Sequence, residues 1–238
     1  MKKLFLILSL LVPTLVMAGE GGDFPAAPIN MSDQASLQRG AKIFVNYCLS
    51  CHSASVMRYN RLKDIGLTDE QIKSNLMLAG EKVGDTMTVA MDKSEAKGWF
   101  GATPPDLSVI ARARGADWLY AYMRGFYRDD TRPTGWNNTV FDKVGMPNVL
   151  YELQGEQRLV TAPDESGKPA SHLVLDKPGT LSTAEYDMAV ADLVNYLVYM
   201  GEPARAVRTH MGLYVLIFLA FMFVLALLLK KEFWKDIH

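Results

Sequence analysis

The sequence predicts a mostly α-helical exported domain with long loop insertions, followed by a single C-terminal transmembrane helix. Three observations support this fold class. An apolar run at the N-terminus follows two lysines, as in a secretory signal peptide. Two segments with helical spacing of apolar residues bracket a long stretch punctuated by glycine and proline. An uncharged run near the C-terminus is long enough to cross a bilayer.

The N-terminus has the three regions of a secretory signal peptide. Two lysines form a basic start, residues 4–16 form an apolar run, and small residues follow. An uncleaved anchor is the alternative, but the run is short for a hydrocarbon core of about 30 Å. We therefore expect cleavage after Ala18, which assigns residues 1–18 to the signal peptide.

The C-terminal run, residues 211–229, contains nineteen residues and no charged side chain. At about 1.5 Å per residue, a helix of this length just spans the hydrocarbon core, whereas a buried core helix seldom goes so far without a charge. Residues 205–210 are then a juxtamembrane linker. Residues 230–238 form a lysine-rich tail, which favours the cytoplasmic side. The exported domain accordingly comprises residues 19–204.

The exported domain is more acidic than the whole chain. Seven of the 25 basic and two of the 26 acidic residues lie in the signal peptide, the linker or the tail, which leaves a formal charge of −6 for residues 19–204. This balance argues against a nucleic-acid partner and suits a basic protein partner, although ordinary solubility would produce it too. We find no internal repeat and no second domain.

A first helix is predicted to end at the only two cysteines of the chain. Ser32 or Asp33 can cap this helix, because both side chains accept hydrogen bonds from backbone N–H groups. One helical face carries the positions Leu37, Ala41, Phe44 and Cys48. Gly40, in the middle of the helix, marks a point where a second backbone can approach closely.

The cysteines, Cys48 and Cys51, permit four interpretations. A disulfide would close a very small loop and stabilise little. A redox dithiol favours a cysteine at the N-terminus of a helix, whereas here the helix ends at the cysteines. A zinc site needs further ligands, and the remaining histidines have no ligand-like spacing.

The fourth interpretation uses His52, which directly follows Cys51. Cys-x-x-Cys-His is the attachment signature of a c-type haem. Two thiols one turn apart reach the two vinyl groups of one porphyrin, and the adjacent histidine becomes an axial iron ligand. The motif occurs once, so we predict one covalently bound haem c, attached through Cys48 and Cys51.

A low-spin electron carrier needs a second axial ligand, usually methionine or histidine. Eight of the thirteen methionines are set aside: those near His52, in predicted helices and in the two apolar ends, and Met31, which precedes the first helix. Five remain: Met77, Met87, Met91, Met123 and Met146. Met146 is favoured because Gly145 allows close approach and Pro147 stiffens the loop. Met91 and Met87 are its main rivals, and the histidines His172 and His210 remain as alternatives.

A last helix is predicted from the capping box of Ser182 and Glu185 to a stop at Pro203. In a small c-type cytochrome the first and last helices cross, which gives Gly40 a partner. Residues 155–180 are polar and rich in turn residues, so they are expected to form an exposed loop or a small hairpin.

The segment "PPDLSVIARARG" supplies candidate contacts to a haem. A double proline precedes Asp106 and Ser108, either of which can start a short helix. Arg112 and Arg114 follow, and arginine pairs with carboxylates through paired hydrogen bonds, which suits haem propionates. Two solvated arginines are the alternative.

These segments together resemble the cytochrome c1 family, the haem subunit of the quinol–cytochrome c oxidoreductase (the cytochrome bc1 complex). The resemblance covers nearly all of the mature chain. It rests on "CLSCHS" followed by "MRYNRL", on "PPDLSVIARARG", on "VGMPNVLYELQG", and on "EPARAVR" with the single span. It implies a c-type cytochrome domain with long insertions. One segment, "KGWFGAT", departs from the family pattern, so no haem contact is carried onto Trp99 or Phe100.

The resemblance also implies roles for particular residues and partners. Met146 matches the family's sixth ligand, Arg114 a residue near a propionate, and Pro105 a haem contact. The implied partners are cytochrome b, the Rieske iron–sulfur protein as electron donor, and a soluble or membrane-bound c-type cytochrome as acceptor. The implied location is a bacterial inner membrane, with the haem domain on the periplasmic side.

Three other functions share parts of this pattern. A membrane-tethered monohaem shuttle or oxidase subunit outside the bc1 complex would use the same haem chemistry. A thiol–disulfide enzyme would need both thiols free. A haem-based ligand sensor would need an open sixth position. As an electron-transfer subunit, the chain would make or break no substrate bond by itself.

Overall fold

The computed structural model describes residues 24–89, 91–163 and 167–235; the predicted signal peptide lies outside them. Within these ranges the α-helices are α1 Gln34–Ile43, α2 Asp69–Asn75, α3 Lys93–Phe100, α4 Ile110–Arg114, α5 Ala116–Arg124, α6 Tyr151–Gln154, α7 Thr183–Gly201 and α8 Arg205–Phe233. The strands are β1 Ala54–Arg58, β2 Thr86–Met87, β3 Phe126–Arg128, β4 Trp136–Asn138, β5 Gly155–Pro163 and β6 Pro169–Pro178. The mostly helical fold class is confirmed.

Helix α1 forms where the apolar spacing predicts it. Asp33 is the N-cap, and its carboxylate accepts a hydrogen bond from Ser36 N at 3.0 Å. The helix continues as a π-helical segment, Phe44–Cys48, which carries the chain to the first cysteine. All four predicted face residues are buried: Leu37, Ala41, Phe44 and Cys48.

Helix α7 crosses α1 at the predicted glycine. A Cβ at Gly40 would overlap the carbonyl oxygen of Asp192 and lie 2.7 Å from Tyr196 Cβ. Beside this crossing, Arg39 Nη2 and Nε donate to the two carboxylate oxygens of Asp192, at 3.0 and 2.6 Å. The N-terminus of α7 has the predicted capping box. The close approach fixes the two helices that frame the core.

In the part of the chain that the structure describes, three antiparallel strand pairs connect the helices. Strands β1 and β2 pair, β3 and β4 pair, and β5 and β6 form a long hairpin. The hairpin confirms the prediction for residues 155–180, whereas the two short pairs were not predicted. Residue Arg128 of β3 binds Glu156 of β5 at 2.8 Å, which fastens the hairpin to the domain.

The segment before α4 differs from the prediction. Neither Asp106 nor Ser108 is the N-cap, since Val109 occupies that position without a side-chain bond. Asp106 instead accepts hydrogen bonds from Ser108 N at 2.8 Å and from Ser55 N at 2.9 Å. Its carboxylate therefore joins this loop to β1, and the helix begins later than expected.

Helix α8 is continuous from Arg205 to Phe233, so the residues predicted as a linker form its first turns. Among the described residues it is the one helix long and apolar enough to cross a membrane, over Val207–Phe233. None of the apolar window is buried inside the protein. Such a surface agrees with a single membrane span.

Candidate functional site

A cavity of about 370 Å³ lies between the π-helical segment, the loop before α4, α4 itself, α5, the loop around Met146 and α7. Six of the seven residues predicted for the site line it: Cys48, Cys51, His52, Pro105, Arg114 and Met146. Arg112 is outside this lining. The chain therefore brings the Cys-x-x-Cys-His motif and a methionine 94 residues beyond His52 to one apolar space.

The two thiols are presented by a turn that follows the π-helical segment. The N–H groups of Cys51 and His52 both donate to the carbonyl oxygen of Cys48, at 3.1 and 2.8 Å. Both cysteines are free thiols, with Cys48 buried and Cys51 partly exposed. Burial raises the pKa of Cys48 to about 12. Both thiols line the same apolar cavity, where one porphyrin could be attached to them.

His52 is oriented by a backbone carbonyl. Its Nδ1 lies 2.8 Å from the carbonyl oxygen of Pro105. Because a carbonyl oxygen only accepts, Nδ1 carries the proton and Nε2 keeps its lone pair. Burial lowers the pKa of His52, although the bond to Pro105 opposes this shift. The result is a neutral, fixed imidazole with Nε2 available to a metal.

Met146 is half-buried on a loop that packs against neighbouring backbone. A Cβ at Gly145 would lie 3.0 Å from the carbonyl oxygen of Phe100, so glycine permits the close packing that the sequence suggested. The Tyr122 hydroxyl donates to Met146 Sδ at 3.5 Å. Burial raises the pKa of Tyr122, which keeps this hydroxyl protonated.

The rival ligands lie elsewhere, with one exception. Met87 is fully buried in β2, where its sulfur accepts from Tyr196 Oη at 3.7 Å. Met91 is outside the lining, and His172 is exposed on β6. Met123, on α5, does line the cavity and is buried. Geometry thus reduces the five methionines to Met123 and Met146.

The two candidate arginines differ in position relative to the cavity. Arg114 lines the cavity, with its Cζ 5.1 Å from the centre of the Trp118 ring. Arg112 points to the C-terminal end of α7, where its Cγ lies 3.4 Å from the position that a Cβ at Gly201 would occupy. Of the two, Arg114 is the residue that could meet a propionate at this cavity.

Several lining residues were not predicted as site residues. Phe100 lines the cavity although no contact was carried onto it, whereas its neighbour Trp99 is exposed. Helices α5 and α7 contribute further members of this group: Trp118, Leu119, Tyr122, Leu193 and Leu197. Sequence could have indicated some of these lining residues. Arg114, Trp118 and Tyr122 are spaced four residues apart, which puts them on one face of a helix.

The donor set fits a c-type haem. Two free thiols, a neutral imidazole with Nε2 available and a thioether surround one apolar cavity, and arginine stands at its wall. Together with the apolar C-terminal helix, this arrangement defines the class of membrane-anchored, monohaem c-type cytochromes.

Comparison with known proteins gives the family. The sequence model of the Cytochrome C1 family matches residues 25–237, so the chain belongs to the cytochrome c1 family. It is 50% identical to cytochrome c1 of Allochromatium vinosum, over 100% of both chains. It is 54% identical to a protein of Nitrosomonas europaea named ammonia monooxygenase gamma subunit, over 98% of both chains.

A more distant relative is the cytochrome b/c1 of Bradyrhizobium diazoefficiens, 28% identical over 93% of this chain and 37% of that protein. Membership of the cytochrome c1 family makes the chain an electron-transfer protein of the cytochrome bc1 type, with one covalently bound haem c. The fold adds a membrane anchor at its C-terminus.

Proposed function

We propose that this chain accepts an electron from a Rieske iron–sulfur protein and passes it to a c-type cytochrome on the exported side of a bacterial inner membrane. Cys48 and Cys51 hold the haem through thioether bonds, and His52 and Met146 are its axial iron ligands. The observation that carries the proposal is that all four side chains line one cavity.

The haem supplies a one-electron ferric–ferrous couple. The protein side chains set its potential. Histidine–methionine ligation raises a haem potential, because thioether sulfur favours the ferrous state. The apolar wall acts in the same direction, since the ferric form carries one more positive charge and low polarity disfavours it. The hydrogen bond from His52 Nδ1 to Pro105 fixes one ligand, and Arg114 is the side chain placed to neutralise a propionate.

The proposed partners follow from charge and topology. The formal charge of −6 on residues 19–204 favours a basic acceptor, and attraction of this kind raises association rates at low salt. Cytochrome b is the proposed neighbour of α8, whose sides are exposed along the apolar window. The periplasmic position of residues 19–204 follows from the signal peptide, with cleavage after Ala18, and from the lysines after the span.

Replacement of the sixth ligand tests the proposal. In Met146→Leu we expect haem to stay covalently attached while its midpoint potential falls steeply, because the thioether is lost and the thiols are untouched. Redox titration of the complex, followed by its visible spectrum, measures the shift. Met123→Leu is the matched control, since Met123 lines the same cavity. An unchanged midpoint potential in Met146→Leu would show that Met146 is not an iron ligand.

Purification in mild detergent tests the partners. Cytochrome b and a Rieske protein should co-purify with the chain, and the rate of reduction of a basic acceptor should fall as salt rises. Purification of the chain alone would favour the alternative, a membrane-tethered shuttle or oxidase subunit. A further alternative is a subunit of an ammonia monooxygenase, because the Nitrosomonas relative is named as one. Co-purification with an enzyme of that kind would overturn the bc1 assignment.

The side of the membrane is tested separately. Protease added to intact spheroplasts should digest residues 19–204 and leave the C-terminal tail protected. Digestion of the C-terminal tail alone would show that the chain has the opposite orientation in the membrane.

A further inference from the structure

Arg114, Trp118 and Tyr122 are spaced four residues apart along one wall of the cavity, and Phe126 continues this spacing beyond the cavity lining. Arg114 lies over Trp118, and the Trp118 and Tyr122 rings are stacked at 4.8 Å with an angle of 11° between their planes. Phe126 contacts the Tyr122 ring edge to face at 5.1 Å. Two aromatic neighbours therefore pack against the Tyr122 ring, which restricts where its hydroxyl can point.

The Tyr122 hydroxyl is directed at the sulfur of Met146, 3.5 Å away. The two residues come from α5 and from the loop before α6, so the bond joins elements 24 residues apart. Both residues line the cavity, where water competes little for the hydroxyl. The contact thus combines an oriented donor with a sulfur that has lone pairs to share.

We infer that Tyr122 is a positioning and tuning residue for the sixth ligand, acting through its hydrogen bond to Met146 Sδ. This inference rests on the proposed role of Met146. A donor on the sulfur draws electron density away from it, which weakens its donation to ferric iron more than to ferrous iron. The bond also restrains a flexible methionine side chain to one rotamer. Tyr122 accordingly raises the potential and slows replacement of the methionine by other ligands.

The test compares Tyr122→Phe with Tyr47→Phe in the detergent-purified full-length protein. Tyr47 lines the same cavity beside Cys48, so its replacement removes a hydroxyl from the same environment. In Tyr122→Phe the aromatic ring at position 122 is kept, and with it the ring contacts to Trp118 and Phe126. The readouts are the midpoint potential, the weak red absorption of a methionine sulfur bound to ferric haem, and the binding of imidazole to the ferric protein.

We expect Tyr122→Phe to keep the red absorption but to lower the potential relative to both wild type and Tyr47→Phe. Imidazole should bind it more tightly by about 2- to 10-fold, the factor that one net hydrogen bond represents. In a Met146→Leu background, Tyr122→Phe should change nothing further, because its effect passes through the sulfur.

Three results would overturn the inference, and they are distinguishable. If Tyr122→Phe matches Tyr47→Phe while Met146→Leu still lowers the potential, Tyr122 has no tuning role and the ligand assignment stands. If Met146→Leu leaves the potential and the red absorption unchanged, the ligand assignment itself fails. An equal shift from Tyr122→Phe with and without Met146 would also refute the proposed route.

Discussion

Two helical glycines show how a single residue decides what a helix can pack against. Gly40 of α1 touches the backbone of α7, where a Cβ would overlap the carbonyl oxygen of Asp192. A Cβ at Gly98 of α3 would meet no heavy atom within 4 Å beyond its own stretch of helix. The first glycine permits a helix crossing, whereas the second only loosens its own helix.

Alanine substitution should therefore have opposite effects at the two positions. We expect Gly40→Ala to lower the free energy of unfolding by about 1–3 kcal/mol, because the helices must separate. Gly98→Ala should raise it by about 0.5–1 kcal/mol, because alanine restricts the unfolded chain and favours helix. Denaturant titration of the haem-containing protein measures both. Equal effects would show that the crossing tolerates a methyl group.

Single residues also mark the limit of prediction from sequence. Gly145 and Pro147 point to Met146, because their effects on the backbone are local. The hydrogen bond from Tyr122 to Met146 depends on how α5 packs against a distant loop, which no local pattern encodes. Local chemistry likewise does not separate Arg112 from Arg114. The family resemblance favours Arg114, and in the fold Arg114 lines the cavity whereas Arg112 does not.

Elements with caps or long periodic faces were predicted, and so was the short helix α4, whereas the short strand pairs were not. Helices α1 and α7 have both features, and their crossing follows from Gly40. Strands β2, β3 and β4 contain two or three residues each, too few to show an alternating pattern. Their pairing is imposed by the surrounding fold. The hairpin of β5 and β6 was predicted because turn residues bracket it.

The base of that hairpin contains a pH-dependent contact. Hydrogen bonds from Arg128 and Lys177 lower the pKa of Glu156 to about 2. A carboxyl with a lowered pKa stabilises the folded state above its unfolded pKa, and this contribution is lost as the pH falls through the folded value. The relevant window runs from about 4.5 down to about 2.

Glu156→Gln should therefore be less stable than wild type at neutral pH, and the difference should shrink between about pH 4.5 and pH 2. Thermal unfolding of the two proteins across this range measures it. The Glu156 side chain is 18% exposed, so high salt should also reduce the difference. A difference independent of pH would assign the effect to packing rather than to charge.

At the scale of the whole molecule, the C-terminal helix contributes little to the packing of the haem domain. The apolar window of α8 has no buried share, whereas α1 and α7 bury their apolar faces against the domain. The sequence predicted the apolar C-terminal helix, because its length and lack of charge are the pattern of a membrane span. The exact start of α8, at Arg205, was not predicted, since helix can continue beyond the bilayer.

A chain that stops after Pro203 should therefore be soluble and keep its haem spectrum. We expect a thermal midpoint close to that of the full-length protein, because the removed helix contributes little to the core. The truncated chain should fail to co-purify with cytochrome b. Aggregation of the truncated chain, or loss of its haem spectrum, would show that the anchor supports the fold.

The cavity has a consequence for how the cell maintains this protein. A chain that folded around an empty cavity of about 370 Å³ would lose up to about 9 kcal/mol of stabilisation from packing, at roughly 24 cal/mol per Å³ of cavity. That is as large as the whole net stability of an ordinary domain, about 5–15 kcal/mol. Chains that miss haem attachment should therefore be more prone to proteolysis. We expect haem attachment to limit how much of this protein accumulates in the membrane.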